Sequence, residues 1–207
     1  MKNVFIKLAF ITGKISAMLF PDFILLKLSN FFHFFHSGRI VSKLKDASSD
    51  ALFKYPTYLK GGEYISIGKK FKTSYRLRIE AWDKYNLSQF EPSIVIGDNV
   101  SFSDNCHLGA TNNITIGNNV LFGSNVYITD HFHGGTTLSE LMIEPINRNL
   151  VSKGPVIIKD NVWIGDGVVI MPNVILGNSC IVGANSVVTK SFPDNCVIAG
   201  CPAKIIK

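Results

Sequence analysis

The chain has 207 residues, 46% of them hydrophobic, which suits one continuous core in a single domain with an appendage. Its formal net charge of +6 sits at one end: residues 1–45 hold Lys2, Lys7, Lys14, Lys27, Arg39, Lys43 and Lys45 against Asp22 alone, and the remainder is neutral. A basic nucleic-acid groove on the body of the protein is thereby excluded, and four cysteines without CxxC spacing (Cys106, Cys180, Cys196, Cys201) read as free thiols in a reducing compartment, with Cys106 and Cys180 at inward positions.

Residues 1–60 are expected to form a basic, amphipathic, helical segment. Phe5, Ile6, Leu8, Phe10 and Ile11 are followed by Met18, Leu19 and Phe20, then by the run 23–26 and Phe31, Phe32, Phe34 and Phe35. Pro21 separates two helices. Lysines and Asp22 interrupt every stretch that approaches the ~20 apolar residues needed to span a bilayer. Lys7 and Lys14 also break up any signal-peptide core. Two roles fit this segment: capping or packing against the open end of the body, and lying on an anionic membrane surface.

Residues 61–207 carry a beat of six. It starts at Ile67, Thr73 and Ile79, and returns as Ile96, Phe102 and Leu108 and as Ile116, Phe122 and Ile128. It then runs unbroken through Ile158, Ile164, Ile170, Leu176, Val182 and Val188. A second apolar position lies four residues after the first, at Val100, Cys106, Val120, Val126, Val162, Val168, Val174 and Cys180. A period of six suits a short strand and a sharp turn, so the fold class is an all-β solenoid, a parallel β-helix. Three units close a triangular coil, giving about five coils. Glycines behind the inward residues, with Asp98, Asn99, Asn118, Asn119, Asp160 and Asn161, are expected to supply the positive φ of the corners.

The beat breaks across Trp82–Pro92, at two extra residues between Leu108 and Ile116, and across the loop 129–153. Such insertions lie outside a solenoid and often carry its function. The tail 192–207 follows the last repeat.

Three motifs ride on the repeat. They are Val162-Trp163-Ile164-Gly165, the run Gly183-Ala184-Asn185-Ser186-Val187-Val188-Thr189-Lys190, and the ending Ala199-Gly200-Cys201-Pro202-Ala203-Lys204-Ile205-Ile206-Lys207. Over about residues 65–207 the chain resembles the hexapeptide-repeat acyltransferases, among them galactoside and maltose acetyltransferases and bacterial polysaccharide O-acetyltransferases. The resemblance implies a left-handed coil, a homotrimer with its sites between subunits, and a 129–153 loop that crosses to a neighbour. It further implies acetyl-CoA as cosubstrate without a metal, and a sugar, nucleotide-sugar or glycan acceptor. Work in the cytoplasm, at the inner face of the membrane, fits these expectations.

The loop opens Thr129-Asp130-His131-Phe132-His133-Gly134-Gly135, similar to a T/S-D-H-x-H-G stretch in the polysaccharide enzymes, which makes His131 the expected general base. A neutral imidazole, pKa about 6.5, can take a sugar hydroxyl proton near neutral pH. Asn105, His107, Asp130 and His133 are the candidate acceptor-binding residues. Asp130 could instead hold the His131 tautomer, although alternation along an extended chain points adjacent side chains apart. The resemblance assigns Trp163, Gly165, Gly183, Ala184, Lys190, Pro202 and Lys204 to the cosubstrate: an apolar wall, close backbone approach, and cations for phosphates.

Three alternatives stay open. One is N-acetylation of an amino sugar nucleotide on the same scaffold. A second is a zinc hydro-lyase using His107, His131 and His133, although the His-x-His spacing departs from that family's ligands. The third is a non-enzymatic trimeric scaffold.

Overall fold

The beat of six becomes three columns of stacked, buried side chains. Ile67, Ile96, Ile116, Ile158 and Leu176 are register partners in a first sheet. Thr73, Phe102, Phe122, Ile164 and Val182 are partners in a second. Ile79, Leu108, Ile128, Ile170 and Val188 are partners in a third. All fifteen are buried. The computed structural model describes residues 2–19 and 21–207; Met1 and Phe20, the latter among the apolar residues noted above, lie outside the described residues.

From Ile65 onward, successive repeat strands step from the first sheet to the second to the third, and the three sheets enclose one core. Each inward aliphatic or aromatic residue meets its equivalent one coil away. Phe102 and Phe122 stack with ring centroids 4.1 Å apart and planes 6° from parallel. Each such burial contributes about 1.5–3 kcal/mol relative to exposure. Cys106, Cys180 and Cys196 are buried and Cys201 is exposed. Burial pushes the Cys106 thiol up to about 11, and burial together with Cys180 does the same for Cys196.

The corners differ from expectation. Positive φ belongs mostly to asparagines, including Asn99, Asn105, Asn119, Asn125, Asn161, Asn173, Asn185 and Asn195, with Lys70, Arg76, Gly167 and Ser179 at the same corner position, and not to the glycines behind the inward residues nor to Asp98, Asn118 and Asp160. Asn tolerates the left-handed region, and its amide reaches the next coil: Asn99 donates to Asn119 at 3.0 Å and Asn119 to Asn161 at 3.1 Å. The glycines serve close approach. A Cβ on Gly165 would lie 2.7 Å from the Ala184 backbone nitrogen.

Helix α1 spans Lys2–Leu19 and α2 spans Asp22–Val41, on either side of Pro21 as the sequence predicts. Asp22 in the first turn and Arg39 in the last suit the α2 macrodipole. The helical reading of residues 1–60 ends at Val41: Asp46–Ala47 and Thr57–Lys60 pair in parallel with the first and third sheets, and Leu52 bridges to Lys72. The C-terminal half of α2 docks on this entry. Ile40 joins the core, and Ser37 Oγ accepts from the Phe53 N–H at 2.8 Å. Elsewhere both helices leave apolar side chains in the open, among them Phe5, Phe10, Phe23, Phe31 and Phe34. No single helix among the described residues is long and apolar enough to cross a membrane; α1 and α2 pass that test of length and composition only as a bent pair.

The breaks in the beat lie outside the columns. Lys84–Tyr85 and Ser88–Gln89 form a small hairpin. The loop 129–153 starts and ends as a second hairpin, His131–His133 against Leu150–Ser152. Between them a short helix, α3 (Leu138–Leu141), opens with a Thr137/Glu140 capping box. The tail turns back at Pro202, so Ala203–Ile205 pairs antiparallel with Val197–Gly200 on the second sheet.

Candidate functional site

On the outer face of the third sheet, Arg78, His107 and Tyr127 share one register row and Glu80, Gly109 and Thr129 share another. Gly109 leaves a gap in its row. The hairpin 84–89 and the loop 129–153 flank it, and together they border a half-open cavity of about 290 Å³. Its lining includes Arg78, Glu80, Trp82, Tyr85, His107, Tyr127, His131 and His133. Two contacts tie the insertions together: the Tyr85 hydroxyl donates to the Ile146 carbonyl at 2.9 Å, and the Tyr85 and His133 rings meet edge to face at 5.4 Å.

Asp130 and His131 form the centre of the site. Asp130 is fully buried, and its Oδ1 lies 2.9 Å from His131 Nδ1. The same carboxylate accepts from the backbone N–H groups of Thr111 (2.9 Å) and Asn112 (2.8 Å) and from the Thr111 hydroxyl (3.3 Å). Thr111 and Asn112 belong to the short break between Leu108 and Ile116, so that irregularity is the cradle for Asp130. A carboxylate so placed accepts and does not donate. His131 therefore carries its proton on Nδ1 and keeps Nε2 as the basic nitrogen. The expected opposition of Asp130 and His131 does not hold, because the strand Tyr127–Thr129 ends before Asp130 and the chain bends there. Asp130 holds the imidazole and is not among the residues that line the cavity.

His107 and His133 line the cavity; Asn105 does not. Asn105 is an exposed corner residue with φ +59°, and its amide is engaged by Arg76 Nε at 2.5 Å and by Asn125. Glu80 is a buried acid that sequence reasoning passed over. Its Oε2 accepts from Arg78 Nε (2.6 Å) and His107 Nε2 (2.9 Å). Burial pushes the Glu80 carboxyl up, but those hydrogen bonds and the Arg78 charge outweigh it and hold the group below the usual glutamate value. The one sequence signal for it was an acid directly behind Ile79, two residues after Arg78 in the same short strand.

A second concavity, about 400 Å³, lies on the second sheet. Gly123, Trp163, Gly165, Asp166, Ile181, Val182, Gly183 and Ala184 line it. Four of the seven residues expected to hold the cosubstrate meet here: Trp163, Gly165, Gly183 and Ala184. Lys190, Pro202 and Lys204 stand outside this lining, all exposed. Lys204 pairs with Ala199 at the edge of the same sheet, and Lys190 lies over the Phe192 ring at 5.7 Å. Gly165→Ala would drive a methyl group into the Ala184 backbone and lift one coil from the next. We expect a stability loss of about 1–3 kcal/mol and weaker CoA binding, read by thermal melting and CoA titration. Unchanged CoA affinity would separate Gly165 from this groove's function.

Among the described residues, no three or more His, Cys, Asp and Glu side chains are grouped so as to hold a metal ion.

Residues 155–190 match the family model Bacterial transferase hexapeptide (six repeats), and residues 113–139 match Hexapeptide repeat of succinyl-transferase. The chain is 39% identical over 160 residues to WbbJ of Escherichia coli K12, which is provisionally assigned as a lipopolysaccharide biosynthesis O-acetyl transferase; the match covers 75% of this chain and 78% of that protein. It is 36% identical over 157 residues to the galactoside O-acetyltransferase of the same strain, covering 73% of this chain and 58% of the relative. A solved galactoside acetyltransferase in complex with coenzyme A is similar with a TM-score of 0.56 and 29% identity, over 83% of this chain and 68% of that one. AntD, an N-acyltransferase from Bacillus cereus in complex with dTDP and 3-hydroxybutyryl-CoA, shares the fold at 21% identity and a TM-score of 0.66, over 83% and 87% of the two chains.

Proposed function

This chain belongs to the hexapeptide-repeat acetyltransferases, and we propose that it transfers acetyl from acetyl-CoA to a sugar hydroxyl in surface polysaccharide or lipopolysaccharide biosynthesis, with His131 as general base. The observation that carries this reading is the Asp130–His131 pair, with His131 lining a half-open cavity. His131 Nε2 takes the proton of the acceptor hydroxyl as its oxygen attacks the thioester carbonyl carbon. The tetrahedral oxyanion is stabilised by a backbone N–H from a neighbouring coil. Its collapse breaks the C–S bond, and the departing CoA thiolate takes back the proton from His131. The products are a sugar acetyl ester and CoA, with no covalent enzyme intermediate. His107 and His133 line the acceptor side, and Trp163, Gly165, Gly183 and Ala184 the donor side, with Lys190 and Lys204 toward the phosphates and Pro202 fixing the path of the tail.

The winding in this reading is left-handed, as in the family, with about five coils between Ile65 and Val188. The assembly is a homotrimer. Donor groove and acceptor cavity lie on two different sheets of one chain and share no lining residue, so a closed ring that sets the second sheet of one copy against the third sheet of the next supplies the missing proximity. Exposed Leu138, Met142 and Ile146 on the loop suit burial against such a neighbour. Sedimentation should return three chains per particle; a monomer with full activity would refute the shared site.

The exposed phenylalanines of α1 and α2, with the concentrated positive charge, support contact with the inner face of a membrane, where lipid-linked glycans are assembled. Flotation should recover the protein with anionic vesicles and not with zwitterionic ones, and salt should weaken the binding. Equal indifference to both would remove membrane contact from the reading.

The transfer itself is tested by CoA release against sugars, nucleotide sugars and bacterial glycans. Release that requires an acceptor, with a product lost in mild base, supports O-acetylation. A base-stable product would mean an amide. A folded protein that does not bind CoA would overturn the transferase reading.

A further inference from the structure

We infer, resting on the transfer reading above, that Glu80 is a positioning residue for the acceptor. With His107 it grips a hydroxyl adjacent to the one acetylated, so the acceptor presents two neighbouring free hydroxyls on one ring.

Gly109 is the geometric key. An ideal Cβ there would lie 3.5 Å from His131 Cε1 and 3.7 Å from His107 Nε2. The two imidazoles thus bound one small space that a side chain at residue 109 would fill. Each is backed by a buried carboxylate: Asp130 on His131 Nδ1, Glu80 on His107 Nε2. The two pairs differ in which nitrogen they occupy. Asp130 accepts a hydrogen bond from His131 Nδ1–H and leaves Nε2 free as a base. Ionised Glu80 accepts a hydrogen bond from His107 Nε2–H and leaves Nδ1 as that ring's acceptor.

Nothing in the sheet calls for an acid at residue 80, where the row continues as Gly109 and Thr129. Its side chain is only 2% exposed, and among the described residues its Oε1 has no hydrogen-bond partner. A buried carboxylate with one oxygen unpaired is costly, which argues for a task beyond packing. The surroundings fit a sugar ring. Trp82 and Tyr85 offer apolar faces for its C–H surface, and Arg78 beside His107 offers a further donor. The proposal sets one hydroxyl of such a ring at His131 Nε2 and its neighbour at His107 Nδ1, both rings lining the one cavity.

The test uses methyl hexopyranosides of gluco, galacto and manno configuration and their monodeoxy analogues, with acetyl-CoA saturating. Glu80→Gln should raise the acceptor KM about ten- to a hundredfold and leave the acetyl-CoA KM within about twofold. Wild type should lose a similar factor on one deoxy analogue, and Glu80→Gln should lose nothing more on that analogue. An unchanged acceptor KM, or equal loss on every analogue, overturns the proposal. A second measurement needs no turnover. Imidazole ¹⁵N spectra of the full chain, with His107 assigned through His107→Asn, should find neutral His107 protonated on Nε2. Protonation on Nδ1 overturns the proposal even if no hexoside is acetylated. Failure of the transferase reading would register separately, as absence of CoA binding.

Discussion

His131→Ala is expected to lower kcat about 10²–10⁴-fold while CoA binding and folding persist. The expectation follows from commitment of the ring. Nδ1 is held by a carboxylate that is itself fixed by two backbone N–H groups, so the imidazole has one orientation and one free nitrogen. Alanine removes the only base the reading places at the reacting hydroxyl, and a water in the vacated space is a far weaker proton acceptor. The side chain is 11% exposed and outside the stacked columns, so its loss should not disturb the core. CoA titration and thermal melting on the same sample check this. Retention of full activity with a normal melting temperature would remove His131 from the mechanism.

Asp130→Asn should be nearly as damaging, for a different reason. An amide at this place presents an N–H₂ group where the carboxylate presented an acceptor. If that group faces His131, it donates to Nδ1, and the ring must then carry its proton on Nε2, where the base is needed. In a serine hydrolase triad the equivalent change costs about 10⁴ in kcat. If the amide is turned the other way, its N–H₂ confronts the Asn112 N–H; in the first orientation it confronts the Thr111 N–H, which shares Oδ1 with His131, so in either case stability falls by about 1–3 kcal/mol. Both outcomes separate catalysis from folding when kcat is measured well below the melting temperature. The double variant with His131→Ala should be no slower than either single variant, since the two residues act as a unit. Additive losses would mean that Asp130 serves catalysis without acting through His131.

The core was legible because the beat of six fixes both spacing and register. Every residue placed on that beat, from Ile67 to Val188, is buried and stacked on its counterpart. The corners were legible in kind but not in agent: the positive φ belongs mostly to asparagine, while glycine answers a collision visible only once the neighbouring coil is in place. His131 could be read because it stands in a motif. Its contact with Asp130 could not, since an alternation rule holds only while the strand continues. Glu80 was hidden for the opposite reason. It lies within the repeat, one position off the inward series, where an outward acid looks like any solvated charge until Gly109 and His107 arrive from the next coil. Asn105, a candidate in the sequence, lies outside the cavity, and its amide is spent on Arg76 and Asn125.

Each interruption of the beat serves the same cavity: the hairpin at 84–89 and the long loop from His131 line it, and Thr111 and Asn112 fix the Asp130 that holds its His131. The groove around Trp163 is assembled from unbroken coils. Descent with modification therefore acts unequally on the two halves of the reaction. On the proposed assignment, a loop lengthened or exchanged beyond His133 alters the acceptor side and leaves the stacked columns in place, whereas a change on the donor side disturbs the stacking that holds the protein together. Lineages built on this plan should diversify in what they acetylate long before they change the thioester they draw on.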